Sequence, residues 1–204
     1  CASHVGIVNH RRHKCGITEA GRAVSESISM CFSATASFVA GGALSVAGGL
    51  TLSQAKMKKE IPFASIPLLF GIQQAIEGVV WISFGTPILN TVATYAYSLF
   101  SHVLWPILVP LSVLLIETDP FRKKVLRFFF ITGLVTGTYL LYFIITDPVT
   151  AHIVDNSIAY RSTHLYPFFI TSLYLIATCG SCLFSSHRII NIFGAVLFVS
   201  FVIA

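Results

Sequence analysis

Glu77 is the only Asp, Glu, Lys or Arg in residues 61–116. On a helix, Gln73 lies four residues before it, Trp81 four after and Gln74 three before, so the four form a polar and aromatic stripe. An ionised carboxylate in hydrocarbon is costly, so Glu77 must face other helices, find a partner or stay protonated. His102 follows, one turn before Trp105-Pro106, with Pro110 beyond. Carboxylate and imidazole together suit zinc, which would activate a bound water for hydrolysis. His164 is the third candidate ligand. No His-x-x-x-His or His-Glu-x-x-His spacing occurs, so the metal signal is weak. A plainer reading makes Gln73, Gln74, Glu77 and His102 interhelical hydrogen-bonding groups, with Trp105-Pro106 a kinked packing site.

Positioning such groups requires helices, and the chain supplies long apolar ones. Residues 32–55, 128–146, 162–187 and 189–204 contain no Asp, Glu, Lys or Arg. A hydrocarbon core about 30 Å thick needs ~20 helical residues to cross it. The hydrophobic fraction is 55% and charged residues are 10%; the mean hydropathy is +0.81. These values exceed what one soluble core of this size needs. The expected fold is an all-α polytopic transmembrane bundle. Its spans lie near 33–54, 61–84, 90–116, 125–146 and 164–185, with a sixth from Ile189. Gly41, Ser45 and Gly49 share a face of span one, and Gly133 and Gly137 stand at Gly-x-x-x-Gly spacing in span four; both invite close helix approach. Residues 147–163 read as a polar connection.

Charge asymmetry orients the spans. Lys56, Lys58, Lys59, Arg122, Lys123, Lys124, Arg127 and Arg188 fall in alternate loops, and the intervening loops hold only Arg161. The positive-inside rule puts the basic loops in the cytoplasm and the start of span one outside. Glu77 is then ~10 Å and His102 ~18 Å below the outer boundary. Ser33, Ser37, His164 and the loop residues His152, Asn156 and Tyr160 join them on that side. The net charge of +5 comes from loops and the N-terminal stretch, with no separate basic domain for nucleic acid; its partner is the lipid bilayer. Cys179-Gly-Ser-Cys182 has redox spacing but no charged neighbour, and reads as small apolar packing.

Residues 1–29 are basic and aperiodic, and no apolar signal core precedes residue 30. They read as a disordered tail or a non-native upstream extension of a transmembrane domain covering 30–204. A basic tail on the outer side conflicts with the orientation, which supports Met30 as the natural first residue. Residues 189–204 would reach only ~24 Å, so the last span reads as truncated.

Met30-Cys-Phe-Ser-Ala-Thr-Ala-Ser-Phe38 resembles the opening of a bacterial family of integral membrane proteins classed as a domain of unknown function. The likeness continues through Leu68-Leu-Phe-Gly-Ile-Gln-Gln-Ala-Ile-Glu-Gly78, Trp105-Pro-Ile-Leu-Val-Pro110, Ser157-Ile-Ala-Tyr-Arg161 and Leu183-Phe-Ser-Ser-His-Arg188. The resemblance implies a bacterial inner-membrane location, a start at Met30 and seven spans in the intact protein; it implies no activity, substrate or catalytic residue. The expectation is an uncharacterised integral membrane protein with an outward-facing polar pocket around Glu77 and His102. Its candidate lining is Ser33, Ser37, Gln73, Gln74, Trp81, Trp105 and His164. The alternatives are an intramembrane metal-dependent hydrolase of a lipid or amide, and a transporter or sensor component in which Glu77 binds a proton or cation.

Overall fold

Ser33 starts the first helix. Its backbone is extended (φ −133°, ψ 160°) and its Oγ accepts from the Ala36 N–H at 3.3 Å, satisfying one of the donors a helix start leaves free. The computed structural model describes residues 33–154, 157–161 and 167–203; the tail expected at 1–29 lies outside the described residues. Helix α1 is Ala34–Gln54, α2 is Lys58–Ile82, α3 is Pro87–Ile116 and α4 is Pro120–Thr146. All four are long and apolar enough to cross a membrane. Two shorter apolar helices follow, α5 over Phe168–Leu183 and α6 over Arg188–Ile203.

Between α4 and α5 the expected polar connection contains an antiparallel hairpin, β1 Thr150–Val154 paired with β2 Ser157–Arg161, with His152 opposite Ala159. Thr150, Ile153, Ile158 and Tyr160 suit extended pairing. Helical periodicity is blind to so short a unit. Apart from the short connections between elements, the rest of the described chain is helical, as the apolar runs require.

Small residues set the tightest helix contacts. A Cβ on Gly41 of α1 would stand 3.0 Å from the Gly71 carbonyl oxygen of α2, and one on Gly48 would strike the Leu68 backbone. The expected stripe is corrected at its end: Gly49 is exposed with nothing within 4 Å, and Gly48 makes the contact. Four-residue steps drift off a 3.6-residue turn, so the buried stripe runs Ser37, Gly41, Gly48. On α4, Gly133 faces the Pro106 carbonyl oxygen of α3, and Gly137 faces Ile107 and the Val103 carbonyl.

The prolines of α3 explain its irregularity. Pro110 offers no N–H to the Pro106 carbonyl one turn earlier, and Gly133 lets α4 close over that oxygen. Upstream, Leu99–Leu104 is π-helical, and Pro106 has no N–H for the carbonyl five residues back, Ser101. The Tyr174 hydroxyl of α5 donates to it instead at 2.9 Å. A freed backbone carbonyl in a membrane helix must be satisfied by a neighbouring group, and here a phenol does it.

The apolar core joins α2, α3, α4, α5 and α6 through Ile66, Trp105, Val109, Val113, Leu126, Cys182 and Ile190. The outside is apolar too: Val39, Val46, Phe128, Ile131, Val135, Val196 and Val199 are exposed. An apolar belt over so much of the surface is not what water selects.

The three basic loops gather at one end. Glu117, at the α3–α4 turn, accepts from Thr118 N–H (2.8 Å), Asp119 N–H (3.1 Å), Ser186 N–H (2.8 Å) and Ser186 Oγ–H (2.9 Å). The last two donors come from the α5–α6 turn. Arg122 donates to the Phe184 carbonyl at 2.9 Å and sits over its ring. At the other end the hairpin rests on α3, with the Val149 N–H donating to Tyr95 Oη at 3.4 Å and Tyr160 stacked on Tyr97 at 4.4 Å.

Candidate functional site

Gln73 and Trp105 form the best-defined polar pair inside the bundle. Trp105 Nε1–H donates to Gln73 Oε1 at 2.6 Å, and both residues are buried. The Trp105 ring is held flat against Phe70, at 4.0 Å and 17°. Phe70 and Gln73 are three apart on α2, so one helix face supplies both the stacking surface and the acceptor. The pair also fixes the register of antiparallel α2 and α3. With Gln73 beside Trp105, Glu77 stands level with the π-helical stretch of α3 that carries Ser101 and His102.

Two cavities adjoin this layer. One, of about 240 Å³, is lined by Gln73 and Trp105 together with Ser101, Tyr174, Thr178 and Cys179. Its walls draw on two π-helical stretches, Leu99–Leu104 of α3 and Ile176–Gly180 of α5. Such stretches often sit at functional sites, because they displace side chains from helical register. The other cavity, about 210 Å³, has His102, Thr171 and Ile170 in its wall and shares Ser101 and Tyr174 with the first. The Tyr174–Ser101 hydrogen bond therefore belongs to the wall common to both.

Most polar groups here are already engaged. Thr178 Oγ1 donates to the Tyr174 carbonyl at 2.8 Å. His102 Nδ1 lies 2.7 Å from Ser101 Oγ and 3.2 Å from the Ser98 carbonyl. A carbonyl only accepts, so this geometry favours the Nδ1–H tautomer. Gln74 Nε2 donates to Glu77 Oε2 at 3.1 Å, and Glu77 is close enough to Tyr97 and Tyr160 to act on both electrostatically. Burial, with the neighbouring Tyr97 and Glu77, pushes the Tyr160 phenol well above its ordinary range. It stays a neutral donor, and its hydroxyl is buried without a partner among the described residues.

Other sequence candidates take different positions. Trp81 Nε1 is buried with no partner among the described residues. Ser37 is buried on the face that α1 turns to α2, whereas Ser33 is exposed and caps α1. His164 lies outside the described residues. Among the described residues, no three His, Cys, Asp or Glu side chains gather as a metal site; Glu77 and His102 remain the described candidates for metal contact.

Sequence reasoning passed over Ser101, Tyr174, Thr178 and the Tyr97–Tyr160 stack. Pro106 was the available signal, since a proline mid-helix implies a freed carbonyl and a donor on some neighbour.

Helices of membrane-crossing length, an apolar exterior and a polar interior layer define an all-helical protein suited to a lipid surround. Residues 30–204 match a family of unknown function (DUF6629), and the chain belongs to that family. No curated protein and no solved structure matches it.

Proposed function

We propose that this is a multi-pass membrane protein that binds a small molecule in the cavity lined by Gln73, Ser101, Trp105 and Tyr174, within the polar layer to which Glu77 and His102 also belong. In this reading α5 and α6 are the fifth and sixth spans, and the ~24 Å of α5 is met by local thinning of the bilayer. The basic loops face the cytoplasm of a bacterial cell, and the start of α1 faces outward across the inner membrane. The observation that carries the proposal is the cavity between two π-helical stretches, into which Gln73, Trp105, Ser101 and Tyr174 converge. Apolar walls with a few fixed polar groups are what ligand sites share.

The test is extraction of the protein in mild detergent, followed by mass spectrometry of what co-purifies. A small molecule should accompany the wild type and be depleted at least tenfold in Thr178→Leu, which fills the cavity, with the melting temperature unchanged. Identical extracts from both proteins would overturn the proposal.

Glu77 favours a second reading, a proton- or cation-binding site in a carrier or sensor, because its carboxylate accepts from Gln74 and is within electrostatic reach of Tyr97 and Tyr160. Liposome flux whose pH dependence vanishes in Glu77→Gln would select it. The metal-dependent hydrolase draws no support from the described residues, where Glu77 and His102 lack a third ligand.

A further inference from the structure

A further cavity lies away from the polar layer, at the basic end. It measures about 570 Å³, within the ~300–1,000 Å³ range of small-ligand pockets. Its floor is apolar: Phe63 and Phe193 meet edge to face at 5.9 Å, with Ile116 and Ile189 beside them. Thr51 adds no free polarity, since its hydroxyl is shared between the Gly48 and Ala64 carbonyls at 3.0 and 2.8 Å.

The rim has the opposite character. Ala55 and Glu60, both in the wall, bracket the exposed Lys56, Lys58 and Lys59, and Ile189 adjoins the exposed Arg188. Four exposed cations are thus close chain neighbours of wall residues, and the wall itself holds one carboxylate, Glu60. That carboxylate is turned to local work, because Glu60 Oε2 accepts from the N–H groups of Lys56 and Met57 at 2.9 and 3.2 Å. The groove opens between the ends of α1, α2, α3 and α6, the level at which lipid headgroups lie if these helices span a bilayer.

We propose that this groove binds an anionic phospholipid, with an acyl chain against Phe63 and Phe193 and its phosphate among Lys56, Lys58, Lys59 and Arg188. Cations beside a largely apolar slot match that chemistry and no zwitterionic lipid equally well. The inference rests on the membrane-spanning reading but not on the polar-layer ligand.

The test places the purified full chain in phosphatidylcholine nanodiscs doped with phosphatidylglycerol and counts retained lipids by native mass spectrometry. Phosphatidylglycerol should be retained in preference to phosphatidylcholine. The Lys58→Gln/Lys59→Gln variant should lose that preference, by roughly fivefold for each cation removed. Lys123→Gln/Lys124→Gln, at the same end but off the groove, should leave it unchanged. Ala64→Leu should displace both lipids, and Ala55→Leu serves if that variant does not fold. Equal retention of the two lipids by the wild type would overturn the proposal. So would an equal loss in the Lys123/Lys124 variant, full retention in a folded groove-filling variant, or crosslinks showing a second polypeptide seated on Phe63 and Phe193.

Discussion

Glu117→Gln isolates the clasp at the basic end. The wild-type carboxylate is 1% exposed. Burial alone would raise its pKa, but the donors of Ser186, Asp119 and Thr118 outweigh that and bring it from 4.5 down to about 2. At 1.36 kcal/mol per tenfold change in proton affinity, that difference corresponds to about 3 kcal/mol. The figure is an upper bound: the clasp is a thin layer of loop, and water just beyond it screens the charge. About 1–2 kcal/mol is the working magnitude, in line with hydrogen bonds to charged groups.

The sign follows from the depressed folded-state pKa. The stabilisation is complete above pH 4.5 and disappears as pH falls toward 2. Glutamine keeps one acceptor oxygen but turns an NH₂ toward other donors. In detergent micelles at pH 7, Glu117→Gln should therefore unfold about 1–2 kcal/mol more easily than wild type. The gap should narrow from about pH 4.5 downward and close as pH falls through about 2. A variant as stable as wild type at pH 7, or a gap independent of pH, refutes the reasoning.

Two further outcomes test the packing. Gly133→Ala should destabilise by about 1–3 kcal/mol because its methyl meets the Pro106 carbonyl, whereas Gly49→Ala, with open space around it, should be neutral in the same thermal-unfolding assay. Trp105→Phe should cost about 1–3 kcal/mol by stranding buried Gln73; adding Gln73→Leu should recover part of that loss, and additive losses in the double-mutant cycle count against the pair.

What could be read from sequence follows the physics of each signal. Long charge-free runs report burial in apolar surroundings directly, so the helices of α1 to α4 were legible from composition. Gly133 and Gly137 were legible because spacing alone puts two missing side chains on one face. Gly49 was misassigned because helical drift between successive four-residue steps cannot be resolved without the partner helix. Gln73 and Trp105 were both visible as candidates, but not as a pair, since pairing depends on the register between α2 and α3. Glu117 gave no signal in the sequence, because three of its four donors are backbone N–H groups and Ser186 is 69 residues away. Of the π-helical stretches, Leu99–Leu104 was hinted at only by Pro106, and Ile176–Gly180 has no proline to mark it.

The two ends of the bundle use their polar groups differently. At the basic end, Glu117, Asp119 and Arg122 each close on backbone partners, and Asn191 Oδ1 is an exception among buried atoms there. Toward the hairpin end, Trp81 Nε1, Thr94 Oγ1, Ser98 Oγ and Tyr160 Oη are all buried without partners among the described residues. Each such group costs about 1–3 kcal/mol in protein surroundings when nothing completes it, and native proteins leave few of them unexplained. Packing alone could have been served by Phe, Val or Ala at these positions. That four of them persist in one half, beside the only carboxylate in α2 and α3 away from their ends, is the strongest reason to look there for a water chain, an ion or a bound molecule.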